Sequence, residues 1–344
     1  MLRLITELTE KDLSGKKVLI RVDFNVPVEN GKILEAYRIS AHKETVDYLI
    51  NSGSVITLLS HSTAVNSFEP LLDQIKTILG TENFSLYENV RKFKGEEENS
   101  EEFARDLAKP FDIYVNDAFS ESHRNYASMT SVTKFLPSYG GLLLIKEIEN
   151  LEKVIRLPKE NKTLIIGGAK VEIKLPVIEN FIDKSDNILV GGVVANVFLK
   201  ASGIDIKKSL TDDKLLEKAK KLLAYSNVAI PNDYVFSNDM ILDAGPKTLE
   251  KFSEIIKKSK IIIWNGPLGK TEIENLSQGT KAIAEAIINS GAFSVIGGGD
   301  TVAFIEKNGL IDKFNYISTG GGAMLEFLAG NKLPGLEVLG YYNV

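Results

Sequence analysis

Gly167-Gly168-Ala169-Lys170-Val171-Glu172-Ile173-Lys174, directly after the apolar run that ends at Ile166, is the stretch on which the fold turns. A β-rich run that ends in two glycines and then turns helical sets free backbone N–H groups at a strand's carboxyl end, where the helix dipole favours an anion. Lys170 and Lys174 lie four apart, so on a helix both ammoniums share one face. Two positive charges held that close suit an anion between them. Taken alone, a solvated lysine pair beside a tight turn is the simpler reading, and only the rest of the chain decides.

Working outward, the 344 residues suffice for two domains of roughly 100 to 200 residues each. A net charge of −5, with no basic tail or stripe, argues against a nucleic-acid footprint. The chain has no cysteine, which excludes disulfides, thiolate catalysis and cysteine-based metal centres. Met1 to Lys17 mixes acids and bases without a signal-like apolar core, and no run approaches a membrane span. These features predict a soluble cytoplasmic protein.

Short β-rich runs alternate with segments of helical period along the whole chain, the pattern of parallel sheets covered by helices. The runs are Val18 to Val22, Val55 to Leu59, Ile113 to Val115, Leu164 to Ile166, Ile188 to Val190, Ile261 to Trp264 and Phe293 to Ile296. Helices are predicted over Ala36 to Asn51 and Phe68 to Leu79 from their apolar spacing. A third, over Tyr139 to Leu157, carries Leu142, Ile145, Ile148, Leu151 and Ile155 on one face and is placed to join two lobes. Arginine and histidine concentrate before it and glycine clusters after it, which suggests two sites of different chemistry.

Ligands of open parallel sheets bind outside the strands' carboxyl ends. After the first runs come Asp23, Asn25 and Pro27, then Ser60 and His61, then Asn116 and Asp117 with His123 and Arg124 behind. With Arg21, Arg38 and Arg91 these form a rim suited to a small polyanion, although Arg21 or Arg91 taken singly fits an ordinary ion pair equally well. In the second half the strand ends read Gly167-Gly168, Gly191-Gly192, Asn265-Gly266-Pro267, Gly297-Gly298-Gly299-Asp300-Thr301 and Ser318-Thr319-Gly320-Gly321-Gly322. Glycine there lets backbone approach phosphate closely, and five such clusters point to a nucleotide phosphate site. Asp300 fits either a Mg²⁺ ligand or a plain helix cap. No G-x-G-x-x-G follows a strand, and Gly266-Pro267-Leu268-Gly269-Lys270-Thr271 only superficially resembles a P-loop because position 264 is Trp.

Together these motifs resemble the phosphoglycerate kinase family. The resemblance rests on RVDFNVP at Arg21 to Pro27, YVNDAF at Tyr114 to Phe119 with Ser122-His123-Arg124 after it, GGAKV at Gly167 to Val171, WNGP at Trp264 to Pro267, GGGDT at Gly297 to Thr301 and STGGGA at Ser318 to Ala323. They run in family order over nearly the whole chain.

The resemblance implies two doubly wound, Rossmann-like α/β domains with parallel sheets, joined by a helix and hinge. Residues 1–150 would hold 3-phosphoglycerate, with a tail 331–344 returning to them, and residues 151–330 would hold MgATP or MgADP. By matching position, Arg21, Asp23, Asn25, Arg38, His61, Arg91 and Arg124 are implied for phosphoglycerate. Gly167, Gly168, Lys170, Gly191, Gly192, Asn265, Pro267, Glu272, Gly297, Gly298, Gly299, Asp300 and Thr301 are implied for the nucleotide, with Asp300 on Mg²⁺. Arg38, Lys174, Gly298 and Gly321 are implied at the transferring phosphoryl group. The expected partners are small molecules alone, with no nucleic acid or membrane, and the expected state is a monomer.

The chain also departs from the family pattern. The family's Ser-His-Leu-Gly-Arg-Pro is Ser60-His61-Ser62-Thr63-Ala64-Val65 here, without its arginine, and Gly-Thr-Ala-His-Arg is Ser120-Glu121-Ser122-His123-Arg124. Lys92 or Lys94, beside Arg91, is a candidate to restore the lost charge. Lys270 and Thr271 stand where apolar residues are usual, and Val193 where a third glycine is common. A nucleotide-binding paralogue without turnover and a kinase for another small carboxylate therefore stay open beside an active phosphoglycerate kinase.

Overall fold

The computed structural model of the chain describes residues 2–343. Two parallel sheets dominate it. Across the first sheet run Ser85–Leu86, Val55–Leu59, Lys17–Arg21, Ile113–Asn116 and Ser138–Gly140. Across the second run Val228–Ala229, Asn187–Val190, Lys162–Ile166, Ile261–Asn265, Phe293–Gly297 and Tyr316–Ile317. In each, the chain winds outward from a central first strand and then crosses back to that strand's other side. This doubly wound order opens a crevice at the carboxyl ends of the first and fourth strands.

Register decides what emerges there. Arg21 pairs with Asn116 in the first sheet and Ile166 with Asn265 in the second. The loops that follow, beginning at Val22 and Asp117 and at Gly167 and Gly266, therefore leave side by side. Lys162–Ile166 and Ile261–Asn265 are buried along their whole length, as strands covered on both faces must be.

The strand period of two distributes the core of the first sheet. Val18 and Ile20 pack on one face with Ile39, Val46, Leu49, Ile56, Leu58, Ile75 and Leu79. Leu19 points the other way and packs with Leu59, Leu107, Tyr114 and Val132. Truncating one such buried leucine to alanine costs about 2 to 5 kcal/mol.

The chain divides into two compact units, one running through Glu149 and resuming at Lys332, the other spanning Asn150–Asn331. The division falls inside the helix Leu142–Arg156. That helix starts three residues later than its apolar spacing predicts, because Ser138–Gly140 is an edge strand on Ile113–Asn116. The edge strands Ser85–Leu86, Val228–Ala229 and Tyr316–Ile317 have two residues each, too few to show a period. The predicted helix Ala36 to Asn51 divides into Tyr37–Ser40 and Lys43–Asn51, and His42 at the break turns into the core. Among the described residues no helix is long and apolar enough to cross a membrane.

Candidate active site

In the second unit the strand-end loops are packed main chain on main chain. Gly167 N–H donates to Asn265 O at 2.9 Å, Gly168 N–H to Pro267 O at 2.6 Å and Gly192 N–H to Leu268 O at 3.1 Å. A β-carbon at Gly192 would strike Gly168 N, and one at Gly266 would strike the Gly167 carbonyl oxygen. Gly266 also has φ +92°, a conformation that L side chains resist. Thr301 and Trp264 pin that turn: Gly266 N–H donates to Thr301 Oγ1 at 3.0 Å, and Trp264 Nε1 donates to Gly266 O at 2.9 Å.

Lys174 sits on this glycine scaffold. It is buried, and its ammonium donates to the Gly167 carbonyl. Burial pushes its pKa down to about 8, with Asp300 pulling back toward the charged form, so at pH 7 it remains an ammonium held out of water. Lys170 is exposed and caps the helix Val171–Phe181 from the left-handed region, φ +56°. A lysine in that conformation stores backbone strain of the kind that collects at ligand clamps.

A cavity of about 420 Å³ opens beside these loops. Its lining combines Gly168, Gly192 and Pro267 with apolar Leu199, Tyr234, Met240 and Leu268, and includes the exposed Glu272 and Asp300. Asp243, a buried carboxyl in the same lining, accepts from Gly279 N at 2.8 Å and is pushed up to about 6 by burial. The remaining candidates stand behind the lining: Gly191 lies under Leu268, and Gly298, φ +95°, opens the helix Gly299–Lys307 against Asn265. Gly297 packs on Met324, and Gly321, φ +50°, opens the helix Gly321–Leu328 with free space where a β-carbon would go.

In the first unit the strand ends are joined by side chains. Asp23 is buried; it accepts from Ser120 Oγ and from Asn25 N at 3.0 Å, and lies 3.6 Å from Arg38 Nη1. Arg38 also donates to Asn25 O at 2.8 Å, and Asn25 Oδ1 accepts from Thr63 N at 2.9 Å. His42 holds the Asp23 loop from below. Its Nε2 accepts from Asp23 N at 2.9 Å, so its Nδ1 carries the proton toward Asp117 Oδ2 at 2.7 Å.

Arg21 lies fully inside, donating to Ser128 Oγ and the Val22 carbonyl and facing His61 Nδ1 at 3.2 Å. Ser128 in turn donates to the buried Glu96. Burial, with Arg21 behind it, pushes His61 down to about 3, so its ring is neutral at pH 7. Because Nδ1 accepts from Arg21, Nε2 is the N–H that faces outward. Arg91 and Arg124 both lie over the Tyr126 ring, at 5.2 and 5.5 Å from its centroid. Glu121 stands among them, 3.2 Å from Arg124 Nε and 3.8 Å from His61 Nε2. Two arginines, a neutral histidine donor and a third arginine at Asp23 thus line one rim suited to an anion.

A family model described as phosphoglycerate kinase matches residues 8–82 and 69–331. The chain belongs to the phosphoglycerate kinase family. Phosphoglycerate kinase of Francisella philomiragia is 39% identical over 381 aligned positions, covering 96% of this chain and 97% of the relative. Phosphoglycerate kinase of Francisella tularensis subsp. novicida is 38% identical over the same shares. Among solved structures, phosphoglycerate kinase from Pyrococcus horikoshii superposes with a TM-score of 0.88 at 32% identity, covering 98% of each chain. That from Coxiella burnetii superposes with a TM-score of 0.84 at 35% identity, covering 99% of each. The chain is accordingly a phosphotransferase, and the phosphoglycerate kinase reaction is a step of glycolysis.

Seen as a phosphoglycerate kinase, the chain brings Asp23, Asn25, Arg38, His61, Arg91 and Arg124 to one rim, with Arg21 buried beneath it. Lys92 and Lys94 are taken by exposed pairs with Glu88 at 3.3 Å and Glu98 at 3.7 Å. Four residues that shape the site escaped the sequence reading: His42, Ser120, Tyr126 and Asp243. The sequence carried a signal only for Asp243, which stands just before the Gly245-Pro246 start of the helix Pro246–Lys258.

Proposed function

We infer that the chain performs reversible phosphoryl transfer between 1,3-bisphosphoglycerate and ADP, giving 3-phosphoglycerate and ATP, with the nucleotide in the second unit's cavity and the acceptor on the first unit's rim. The observation that carries this is Lys174, a buried ammonium fixed to the glycine scaffold of a cavity whose apolar walls suit a purine. The acceptor is a carboxylate with a pKa near ~4, ionised at neutral pH, so no general base is required. Catalysis is then positioning and charge neutralisation. Lys174 and Arg38 supply positive potential to the transferring group, while the glycine N–H groups that are not bonded between loops meet phosphate oxygens.

Asp300 fits a magnesium ligand. Its carboxylate is exposed in the cavity lining at a helix start, and Mg²⁺ is commonly held by one or two carboxylates plus the nucleotide's own phosphates. Bound there, the ion would neutralise developing phosphate charge. Lys170, Glu272 and Thr301 would order the nucleotide around it. The reading extends to a monomer working in the cytoplasm on small molecules alone.

Coupled measurement of ATP consumption with and without 3-phosphoglycerate tests the reading. Consumption should depend on 3-phosphoglycerate. Turnover without it, or only with another carboxylate, overturns the assignment of the acceptor.

A further inference from the structure

On the acceptor rim three buried polar atoms lie together without a hydrogen-bond partner among the described residues: Glu121 Oε2, Arg91 Nε and Arg124 Nε. Glu121 is only 6% exposed. Its Oε2 lies 3.2 Å from Arg124 Nε, 4.0 Å from Arg91 Nη2 and 3.8 Å from His61 Nε2. The carboxylate sits within ion-pair range of these groups yet completes none of their directional hydrogen bonds. A phosphate, with three acceptor oxygens, suits such donors better.

Resting on the phosphoglycerate reading above, we propose that Glu121 is a built-in competitor for the acceptor's non-transferring phosphate, which docks on Arg91 and Arg124 only when Glu121 is protonated, so that binding takes up one proton from solvent. An ionised Glu121 repels the phosphate. A protonated one turns an oxygen from acceptor into O–H donor and joins the rim.

The groups facing Glu121 agree with this. Arg21 comes from the strand Lys17–Arg21 and Asp23 from the loop after it; His61 follows Val55–Leu59, Arg91 lies in the turn Val90–Lys92, and Arg124 is on Glu121's own loop. Glu97 draws Arg91 Nη1 away at 2.8 Å, and Arg38 pairs with Asp23. From the far end of the chain, Gly335 meets the next residue, Ser122, through backbone. Burial, with Asp23 second, pushes Glu121 up to about 7 against the pull of Arg21, Arg124 and Arg91. His61, pushed down to about 3, does not titrate in the same range.

If only the protonated form binds, apparent affinity for 3-phosphoglycerate weakens about eightfold from pH 6.5 to 8.0. The test is calorimetric titration of 3-phosphoglycerate into the whole protein at both pH values, in buffers of different ionisation heat, alongside KM from the coupled assay. Uptake close to one proton per ligand is expected at pH 8.0, and much less at pH 6.5, where Glu121 is already mostly protonated before the ligand binds. Glu121→Gln should bind about tenfold tighter than the unmodified protein at pH 8.0 and lose the pH dependence, with Glu121→Thr as a second variant. Should neither variant fold, the proton count on the unmodified protein decides alone. Equal affinity at the two pH values without proton uptake, while 3-phosphoglycerate-dependent ATP consumption persists, overturns the competitor role and leaves the kinase reading standing. No such consumption in any of the proteins at either pH overturns both.

Discussion

In the second unit Gly167, Gly192 and Gly266 bring main chain against main chain, whereas in the first unit Arg91, Arg124, His61 and Glu121 meet through side chains. The difference sets how each site tolerates change. Where a missing β-carbon is the design element, almost any substitution intrudes on backbone that cannot move aside. Where charges meet at the tips of long side chains, one can be lost and another gained while the strands beneath are untouched. Two departures from the family pattern, the arginine lost after His61 and the carboxylate gained at Glu121, lie on the side-chain rim, whereas Val193, Lys270 and Thr271 fall in the cavity lining beside the glycine loops and leave Gly167, Gly192 and Gly266 in place.

The comparison can be broken most directly at Gly266. A β-carbon there meets the Gly167 carbonyl, and φ is +92°, so Gly266→Ala combines overpacking with a strained backbone. Together these should cost about 2 to 5 kcal/mol and abolish ADP binding. Thermal melts with an ADP titration check this, and a stable variant with intact ADP affinity would show that the cradle is softer than its contacts imply.

Next in size is Lys174→Ala, which should lower kcat by about two to three orders of magnitude with little change in KM, because its charge acts mainly in the transition state. The same lysine predicts a pH limb. It is charged below its pKa of about 8 and neutral above it, so kcat/KM for the nucleotide, measured at saturating 3-phosphoglycerate to keep Glu121 out of the profile, should decline as pH rises through 8. A profile flat to pH 9.5, or a Lys174→Ala effect confined to KM, would place the essential charge elsewhere. Asp300→Ala should remove the dependence of ADP affinity on Mg²⁺ while leaving the melting temperature unchanged. ADP titrations with and without the ion read this directly.

On the rim the expected effects shrink. Thr63 is exposed and keeps its backbone bond to Asn25 whatever its side chain, whereas Ser62 is buried and caps Ala64 and Val65. Thr63→Arg is therefore the better restoration of the lost arginine. A charged hydrogen bond of ~1.5 to 3 kcal/mol should lower KM for 3-phosphoglycerate roughly tenfold or more, with kcat changing less. Lys92→Ala and Lys94→Ala should shift KM by less than about twofold, since both lysines are held in exposed pairs with Glu88 and Glu98. A larger change at either would mean that those pairs open to serve the substrate.

What was legible in the sequence follows the same line. All seven β-rich runs are strands, because a strand buried on both faces writes itself as a continuous apolar run, and the glycine clusters mark the turns that follow. Side-chain partnerships were not legible. Nothing near His42 in sequence announces Asp117, 75 residues away, yet that bond orients the ring that holds the Asp23 loop. Arg21, next to last in its β-rich run, reads as a rim arginine, but the strand's alternation turns it inward to Ser128. Edge strands of two residues carry no period and were missed for that reason.

The stretch from Lys332 onward belongs to the first unit, and Gly335 there is seated against Ser122, with its N–H donating to Ser122 O at 2.8 Å and room for no larger residue. Ser122 adjoins Glu121 and stands two residues before Arg124. On a ribosome, then, the loop that carries Glu121 and Arg124 is translated early but gains its backing only after the entire second unit has been made. These contacts of the first unit form last, and a chain stalled after residue 331 would hold both sets of strand-end loops while the loop Ser120 to Arg124 lacked the support it packs against.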